Sequence, residues 1–192
     1  MGDGISGLVI SRTPDGCRRL GRDRSVLAVD RQLTPVARAM VQDAPRRYEL
    51  RELDPDSLTP AMLVEESQAI GAALVVVRAA FDHRFLVSVD DAATRAGLPW
   101  LAFHLDGATG WFGPAFDPGH TPTFDDLMSR PVYGEPYIPP DPDLFWMLGV
   151  LLSDLDRWHD GRPMRSWWHE VELDSRLPTI RRHPVLPLPP YD

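Results

Sequence analysis

The run Ala72-Ala-Leu-Val-Val-Val77 decides the fold class, because six consecutive small or aliphatic residues are typical of a strand buried on both faces. A similar run, Ser25-Val-Leu-Ala-Val-Asp30, precedes it, and Pro99-Trp-Leu-Ala-Phe-His-Leu105 follows it. Strands of this kind occur in parallel sheets that helices cover on both sides. We therefore expect these three segments to form the centre of a parallel sheet.

Helical segments and one edge strand separate these runs. Thr34-Pro35 and Thr59-Pro60 each place a capping residue before a proline, which is favoured at the first turn of a helix. A third helix is predicted from about Phe85 to Arg95, and Tyr48–Leu53 alternates like an edge strand. Residues 25–105 therefore follow a β-α-β-α-β-α-β order. This order predicts an α/β, Rossmann-like fold with a mostly parallel sheet and helices on both faces.

The second half of the chain is richer in proline and is expected to be irregular. A return strand is predicted at Trp111-Phe112, followed by a Pro/Gly-rich loop. Asp143 is expected to cap a helix that runs from Leu144 to about Trp158. Two terminal strands are predicted at 167–173 and 177–181, and residues 182–192 are predicted to form an extended tail. We divide the chain into an N-terminal lead, residues 1–24, and a single domain, residues 25–192.

The composition excludes several classes of function. The chain has 192 residues with 28 acidic and 20 basic side chains, a formal net charge of −8. That charge disfavours nucleic-acid binding, which requires clustered cations. All basic residues are arginine, so no Schiff-base lysine and no P-loop lysine is present. Cys17 is the only cysteine, which excludes an intrachain disulfide and a zinc site built from several thiolates.

No segment suggests a membrane or an exported protein. The longest apolar stretch, Leu144–Leu152, is far shorter than the about 20 residues that span a bilayer. The N-terminus lacks the basic and apolar pattern of a signal peptide. We therefore expect a cytoplasmic protein without a membrane partner.

A nucleotide site in such a sheet would require glycines directly after the first strand, so that the backbone can approach the phosphates. This chain instead has Arg31-Gln-Leu-Thr-Pro35 at that position. No glycine is present, and Pro35 lacks the N–H group that a phosphate would accept. We expect no nucleotide or other cofactor to bind there.

Three stretches together resemble one family. They are Gly97-Leu-Pro-Trp-Leu-Ala-Phe-His-Leu-Asp-Gly107, then Gly113-Pro-Ala-Phe-Asp-Pro-Gly-His-Thr-Pro122 continuing to Asp126 and Arg130, and finally His183-Pro-Val-Leu-Pro-Leu-Pro189. They resemble the ThiF-like cyclodehydratase partner proteins of thiazole/oxazole-modified and thiopeptide natural-product clusters. The resemblance covers roughly residues 25–190 and implies a role in ribosomal-peptide biosynthesis.

The departures from that family indicate a reduced member. The family carries two Cys-x-x-Cys pairs that hold zinc, whereas this chain has Thr123 and Asp126 at the first pair and Pro190-Tyr-Asp192 at the second. Because all four thiolates are missing, the tetrahedral zinc cannot form, and we expect no metal. The resemblance thus implies a ThiF-like scaffold without its nucleotide loop or zinc.

We favour the hypothesis of a non-catalytic scaffold that binds a partner enzyme or a precursor peptide. The adjacent Trp167 and Trp168 cannot both face inward from a regular strand, and Trp is enriched in interface hot spots. We therefore expect Trp111, Phe116, Trp167 and Trp168 to contact a partner, which is either a second copy in a homodimer or a biosynthetic enzyme subunit.

The alternative hypothesis is a small biosynthetic enzyme. In that case His120 or Asp126, in the Pro/Gly-rich loop and the short helix after it, would act as acid or base in the crevice at the carboxyl ends of the strands.

Overall fold

The computed structural model describes residues 23–54, 58–127 and 137–186. In chain order its elements are β1 (Ser25–Asp30), α1 (Thr34–Val41), β2 (Tyr48–Leu53), α2 (Pro60–Ala69), β3 (Ala73–Arg78), α3 (His83–Ala96), β4 (Trp100–Asp106), β5 (Thr109–Phe112), α4 (Phe124–Leu127), α5 (Asp141–His159), β6 (His169–Asp174) and β7 (Thr179–Pro184). The predicted lead up to Arg22 and the end of the predicted tail, 187–192, lie outside the described residues.

The strands form one seven-stranded sheet in the order β2-β1-β3-β4-β5-β6-β7. The first four are parallel to one another, and the last three are added in antiparallel pairs. The α/β, Rossmann-like prediction with a parallel core is therefore confirmed. No helix in the described ranges is long and apolar enough to cross a membrane.

Helices cover the two faces of the sheet with separate cores. One core joins alternate strand residues such as Leu27, Val75 and Phe103 to α1 and α5. The other joins the intervening residues, such as Val26 and Leu74, to α2 and α3. The buried pattern of β1 and β3 follows from this double cover, as the continuous apolar runs predicted.

The antiparallel half begins with a tight return after β4. Asp106 pairs with Thr109, so β5 runs back along β4. The chain then continues antiparallel until Phe116 bridges Trp100, the first residue of β4. At Gly113, where φ is +82°, an added Cβ would lie 2.7 Å from the Ser166 Cβ. A side chain at 113 would therefore separate this loop from the turn that leads into β6.

Asp154, on α5, connects this turn to the rest of the domain. Its side chain is fully buried and accepts hydrogen bonds from the Arg165 N–H at 2.6 Å, the Ser166 N–H at 3.0 Å and the Ser166 hydroxyl at 2.7 Å. The Ser166 carbonyl in turn accepts a hydrogen bond from the Ala115 N–H at 2.9 Å. One carboxylate thus links α5, the loop after β5 and the approach to β6.

Three sequence predictions of element boundaries are wrong. β6 begins at His169, so the Trp pair precedes the strand, and the premise that both side chains alternate across a sheet does not apply. β7 extends to Pro184, where an extended tail was expected, because every residue from His169 to Asp174 has a partner on it. The last long helix begins at Asp141 after Pro140, without the side-chain cap expected from Asp143.

His104 is buried on the α3 face of β4, with only 4% of its surface exposed. Its ring lies edge-on to Phe81, with the ring centroids 4.9 Å apart. Burial disfavours the charged imidazolium and lowers the pKa of His104 to about 4. The double cover of the sheet buries this side chain almost completely.

We expect Asp154→Ala to lower the free energy of unfolding by about 3 kcal/mol or more, because two backbone N–H groups and a hydroxyl lose a charged acceptor. Asp154→Asn keeps one acceptor oxygen and should have an intermediate effect. Urea denaturation measures the change, with Ser153→Ala on the exposed side of α5 as the matched control. A loss below about 1 kcal/mol for Asp154→Ala would contradict the proposed role.

We expect acid to destabilise the fold through His104. The pKa of this residue in the unfolded chain is about 6.5, so the unfolded state binds more protons than the folded state between pH 6.5 and 4. The contribution of neutral His104 to the free energy of unfolding is complete above pH 6.5. It falls by about 1.4 kcal/mol for each pH unit as the pH decreases from 6.5 to 4. Between pH 7 and 4.5, wild type should lose about 2–3 kcal/mol more than His104→Leu.

Urea denaturation at the two pH values checks this prediction, and His120→Ala, which removes an exposed imidazole, serves as the control. If the free energy of unfolding depended on pH equally in wild type and in His104→Leu, the folded state would protonate His104 as readily as the unfolded state does. That result would contradict the prediction.

Candidate functional site

The carboxyl ends of the parallel strands meet at one edge of the sheet. In the sheet, β1 lies between β2 and β3. The connection after β1 leads to α1 on one face of the sheet, and the connection after β3 leads to α3 on the other face. Open α/β sheets bind ligands at such a switch point. A cavity of about 260 Å³ lies at this edge, and its lining residues come from the ends of β1, β2 and β3 and the starts of α2 and α3: Asp30, Leu53, Asp54, Leu58, Thr59, Pro60, Arg78, Asp82 and Phe85.

An internal ion pair spans the switch point. The Arg78 Nε lies 3.2 Å from both carboxylate oxygens of Asp30, and both side chains are about four-fifths buried, with 19% and 18% exposed. The Ala79 N–H also donates to Asp30 at 2.9 Å. Asp30, at the end of β1, is therefore bound to the backbone and side chain at the end of β3.

Arg78 has two further contacts that fix its position. Its Nη2 lies 3.4 Å from the Asp82 carboxylate, and its guanidinium lies over the Phe85 ring, 4.6 Å from the centroid. Asp82 also caps α3, since its carboxylate accepts the Phe85 N–H at 3.1 Å. The Arg78 guanidinium and the N–H groups of Ala79 and Phe85 are the kinds of group that bind an anion at such an edge. All three are bonded instead to the carboxylates of Asp30 and Asp82.

The first turn of α1 offers no alternative anion site. The Leu33 N–H donates to the Asp30 carbonyl at 2.8 Å, and the Thr34 hydroxyl donates to the same oxygen at 3.2 Å. Pro35 has no N–H, and Leu33 and Thr34 are almost fully buried. Thr34 is the first residue of the helix rather than its cap, because Leu33 occupies the capping position. The residues at this edge therefore do not fit the phosphates of a nucleotide.

The two acid–base candidates do not line this cavity. His120 is 65% exposed, and its Nδ1 lies 3.2 Å from the Asp117 carboxylate and 3.2 Å from the Pro118 carbonyl within its own loop. Asp126 accepts hydrogen bonds from the Thr123 N–H and hydroxyl, while its own N–H donates to that hydroxyl, which is a capping box for α4.

Neither residue lines the cavity at the carboxyl ends of β1, β2 and β3, and the expectation that His120 or Asp126 acts as acid or base stays a prediction. The loop that carries them follows Phe116, and Phe116 pairs with Trp100 at the amino end of β4. The chain then passes back over the α3 face, since the centroid of the Phe124 ring lies 5.8 Å from that of Trp100 and 6.3 Å from that of His83, the first residue of α3.

The four aromatic candidates have different environments. Phe116 is 3% exposed and stacks on Trp100 with ring centroids 4.7 Å apart, so it is a core residue, and its expected partner contact stays a prediction. Trp167 is partly buried against the α5 core. Trp111 lies on the face of β5 opposite α5, with its ring 5.6 Å from that of His183, and Trp168 is partly exposed before β6.

A polar cluster of α5 residues with strand residues lies at the amino ends of β1 and β2. His159 Nε2 lies 2.9 Å from the buried Ser25 hydroxyl, and the Tyr48 hydroxyl donates to Asp156 at 2.8 Å. Burial lowers the pKa of His159. Within the described residues, no group of three or more potential ligands is arranged to hold a metal ion. Asp156 and His159, three residues apart on α5, instead connect the helix to the two strands.

The ion pair at the switch point was missed, although a signal for it exists. Asp30 and Arg78 each follow a run of apolar residues and occupy the last position of their strands. In a parallel pair, residues at the ends of two neighbouring strands lie at the same edge. The opposite charges would have predicted the pair if the adjacency of β1 and β3 had been known.

Comparisons with known proteins identify the fold. No protein-family model and no curated protein matches the chain. A heterocyclase solved with substrate and cofactor matches with 12% identity and a TM-score of 0.61, over 89% of this chain and 25% of its own. The heterocyclase TruD matches with 15% identity and a TM-score of 0.60, over 88% and 27%.

A third structure, E. coli MccB with MccA, matches with 12% identity and a TM-score of 0.57, over 88% of this chain and 58% of its own. This chain therefore spans about a quarter of each heterocyclase and less than two thirds of MccB. At these identities the likeness establishes a shared fold.

Proposed function

We propose that this protein is a non-catalytic subunit of a complex that modifies ribosomal peptides, of the thiazole/oxazole or thiopeptide type, and that it binds a partner enzyme or the precursor peptide. One observation carries the proposal: Asp30, bonded to Arg78 and to the Ala79 N–H, occupies the switch point where a sheet of this kind would bind an anionic cofactor.

Electrostatics at this edge oppose a nucleotide. A phosphate that approaches the ends of β1 and β3 would meet the carboxylates of Asp30 and Asp82. Displacing Arg78 toward the phosphate would leave the largely buried Asp30 carboxylate without its cation, which is strongly unfavourable.

The shared fold supports a biosynthetic setting. Heterocyclases and MccB contain the same architecture, and MccB has been solved both with ATP and with MccA. In this chain the architecture is retained, while the edge that would hold a nucleotide is bonded internally. A chain of this kind is suited to position another polypeptide rather than to activate one.

We propose Trp111 and Trp168 as partner contacts. Both are partly exposed, and neither belongs to the two buried cores. Trp111 lies on the face of β5 that points away from α5, whereas Trp167 packs against the α5 core and has a structural role. A partner could be a biosynthetic enzyme subunit, the precursor peptide or a second copy.

We expect the purified protein not to bind ATP and not to catalyse pyrophosphate exchange with a peptide, because its anion-binding groups are already bonded to Asp30 and Asp82. Isothermal titration calorimetry with Mg–ATP measures the first property, with E. coli MccB as the positive control. Micromolar affinity for ATP, or pyrophosphate exchange, would overturn the proposed function.

We expect Trp168→Ala to weaken the complex with the partner enzyme or the precursor peptide by about 2 kcal/mol, or about 30-fold in Kd, if Trp168 is a hot spot. Trp167→Ala should instead lower stability, because its ring packs on the core. Biolayer interferometry measures the affinities, and urea denaturation of both variants separates binding from folding. Unchanged affinity for Trp168→Ala would remove this contact from the proposal.

A further inference from the structure

The two edge strands of the sheet differ in how they are protected. β2 carries paired charges: Arg51 contacts Glu49 and Glu66, and Glu52 contacts Arg31. Charged side chains on an edge strand prevent pairing with another chain. β2 is thus a protected edge.

β7, the other edge, also carries charged side chains, but unlike β2 it exposes large apolar side chains on and beside the strand. Within the described residues, no strand pairs with its outer side. Ile180 on the strand is 46% exposed, and Leu177 before it and Leu186 after it are 67% and 74% exposed. An exposed edge with large apolar side chains is a template for strand addition.

The strand is also basic within an acidic protein. Arg181, Arg182 and His183 are consecutive, while the chain as a whole has a net charge of −8. Arg181 and His183 are bonded to Glu172 on β6 at 2.9 and 2.8 Å. Arg182 is exposed on the other face and forms no ion pair with any described residue. That face therefore has an unneutralised cation beside Ile180.

This charge pattern disfavours a second copy as the occupant. In the register that pairs all six residues, antiparallel pairing of Thr179–Pro184 with the same strand of another molecule would place Arg181 opposite Arg182. Like charges directly opposite each other destabilise a strand pair. An acidic polypeptide would instead be attracted to the strand.

We propose that β7 binds an extended segment of the precursor peptide by antiparallel strand addition, and that the segment carries an acidic residue two positions before an aliphatic residue. Ile180 and Arg182 share one face, because they pair with Leu173 and Val171, which both face the α5 core. The aliphatic residue would lie opposite Ile180 and the acidic residue opposite Arg182. The proposal rests on the proposed function and specifies the chemistry of its peptide.

The test is a selection from a phage-displayed library of random linear nine-residue peptides against the full chain. Wild type should enrich sequences with an acidic-x-aliphatic pattern by at least tenfold. Arg182→Glu should invert the preference to basic-x-aliphatic, because it reverses the charge on the same face. Arg38→Glu, which reverses an exposed charge on α1 far from β7 in the sequence, should leave the acidic preference unchanged.

Equal urea denaturation of the three proteins verifies that each is folded. The proposal is overturned by the absence of an enriched pattern, by a pattern that Arg182→Glu does not invert, or by sedimentation that shows a dimer lost in Ile180→Lys. None of these results bears on ATP binding, so failure of this proposal and failure of the proposed function can be distinguished.

Discussion

The buried carboxylate of Asp154 is the interaction on which the antiparallel half of the domain depends. It accepts three hydrogen bonds from the turn at Arg165 and Ser166, and the Ser166 carbonyl holds the loop after β5. A buried carboxylate is stable only when its oxygens are bonded in this way. Because α5 is itself packed on the sheet, this contact determines where the chain enters β6 and therefore where β7 lies.

The parallel half follows the same principle at its carboxyl edge. Asp30 and Asp82 accept backbone N–H groups and bind Arg78 at the switch point where open α/β sheets bind ligands. Internal carboxylates thus satisfy donors that would otherwise attract an external anion. The guanidinium and the two backbone N–H groups at this edge are therefore satisfied within the chain.

The two halves therefore differ in what they offer to other molecules. The parallel half is covered by helices on both faces and ends in the protected strand β2. The antiparallel half exposes Trp111 on one face and Ile180 and Arg182 on the edge strand, where backbone groups and side chains are both accessible. If the protein binds a polypeptide, the physical properties of β7 favour it over β2.

The sequence by itself determined the elements of residues 25–105, because apolar runs and Thr-Pro helix starts act over a few neighbouring residues. It also determined that the glycines of a nucleotide loop are absent. It did not determine that Phe116 is buried on Trp100, that β6 begins after the Trp pair, or that Asp30 binds Arg78, 48 residues away. Those outcomes depend on which strands become neighbours and in which direction they run. Local residue patterns carry no information on that adjacency, so only the tertiary structure decided which polar groups are bonded internally and which edge remains accessible.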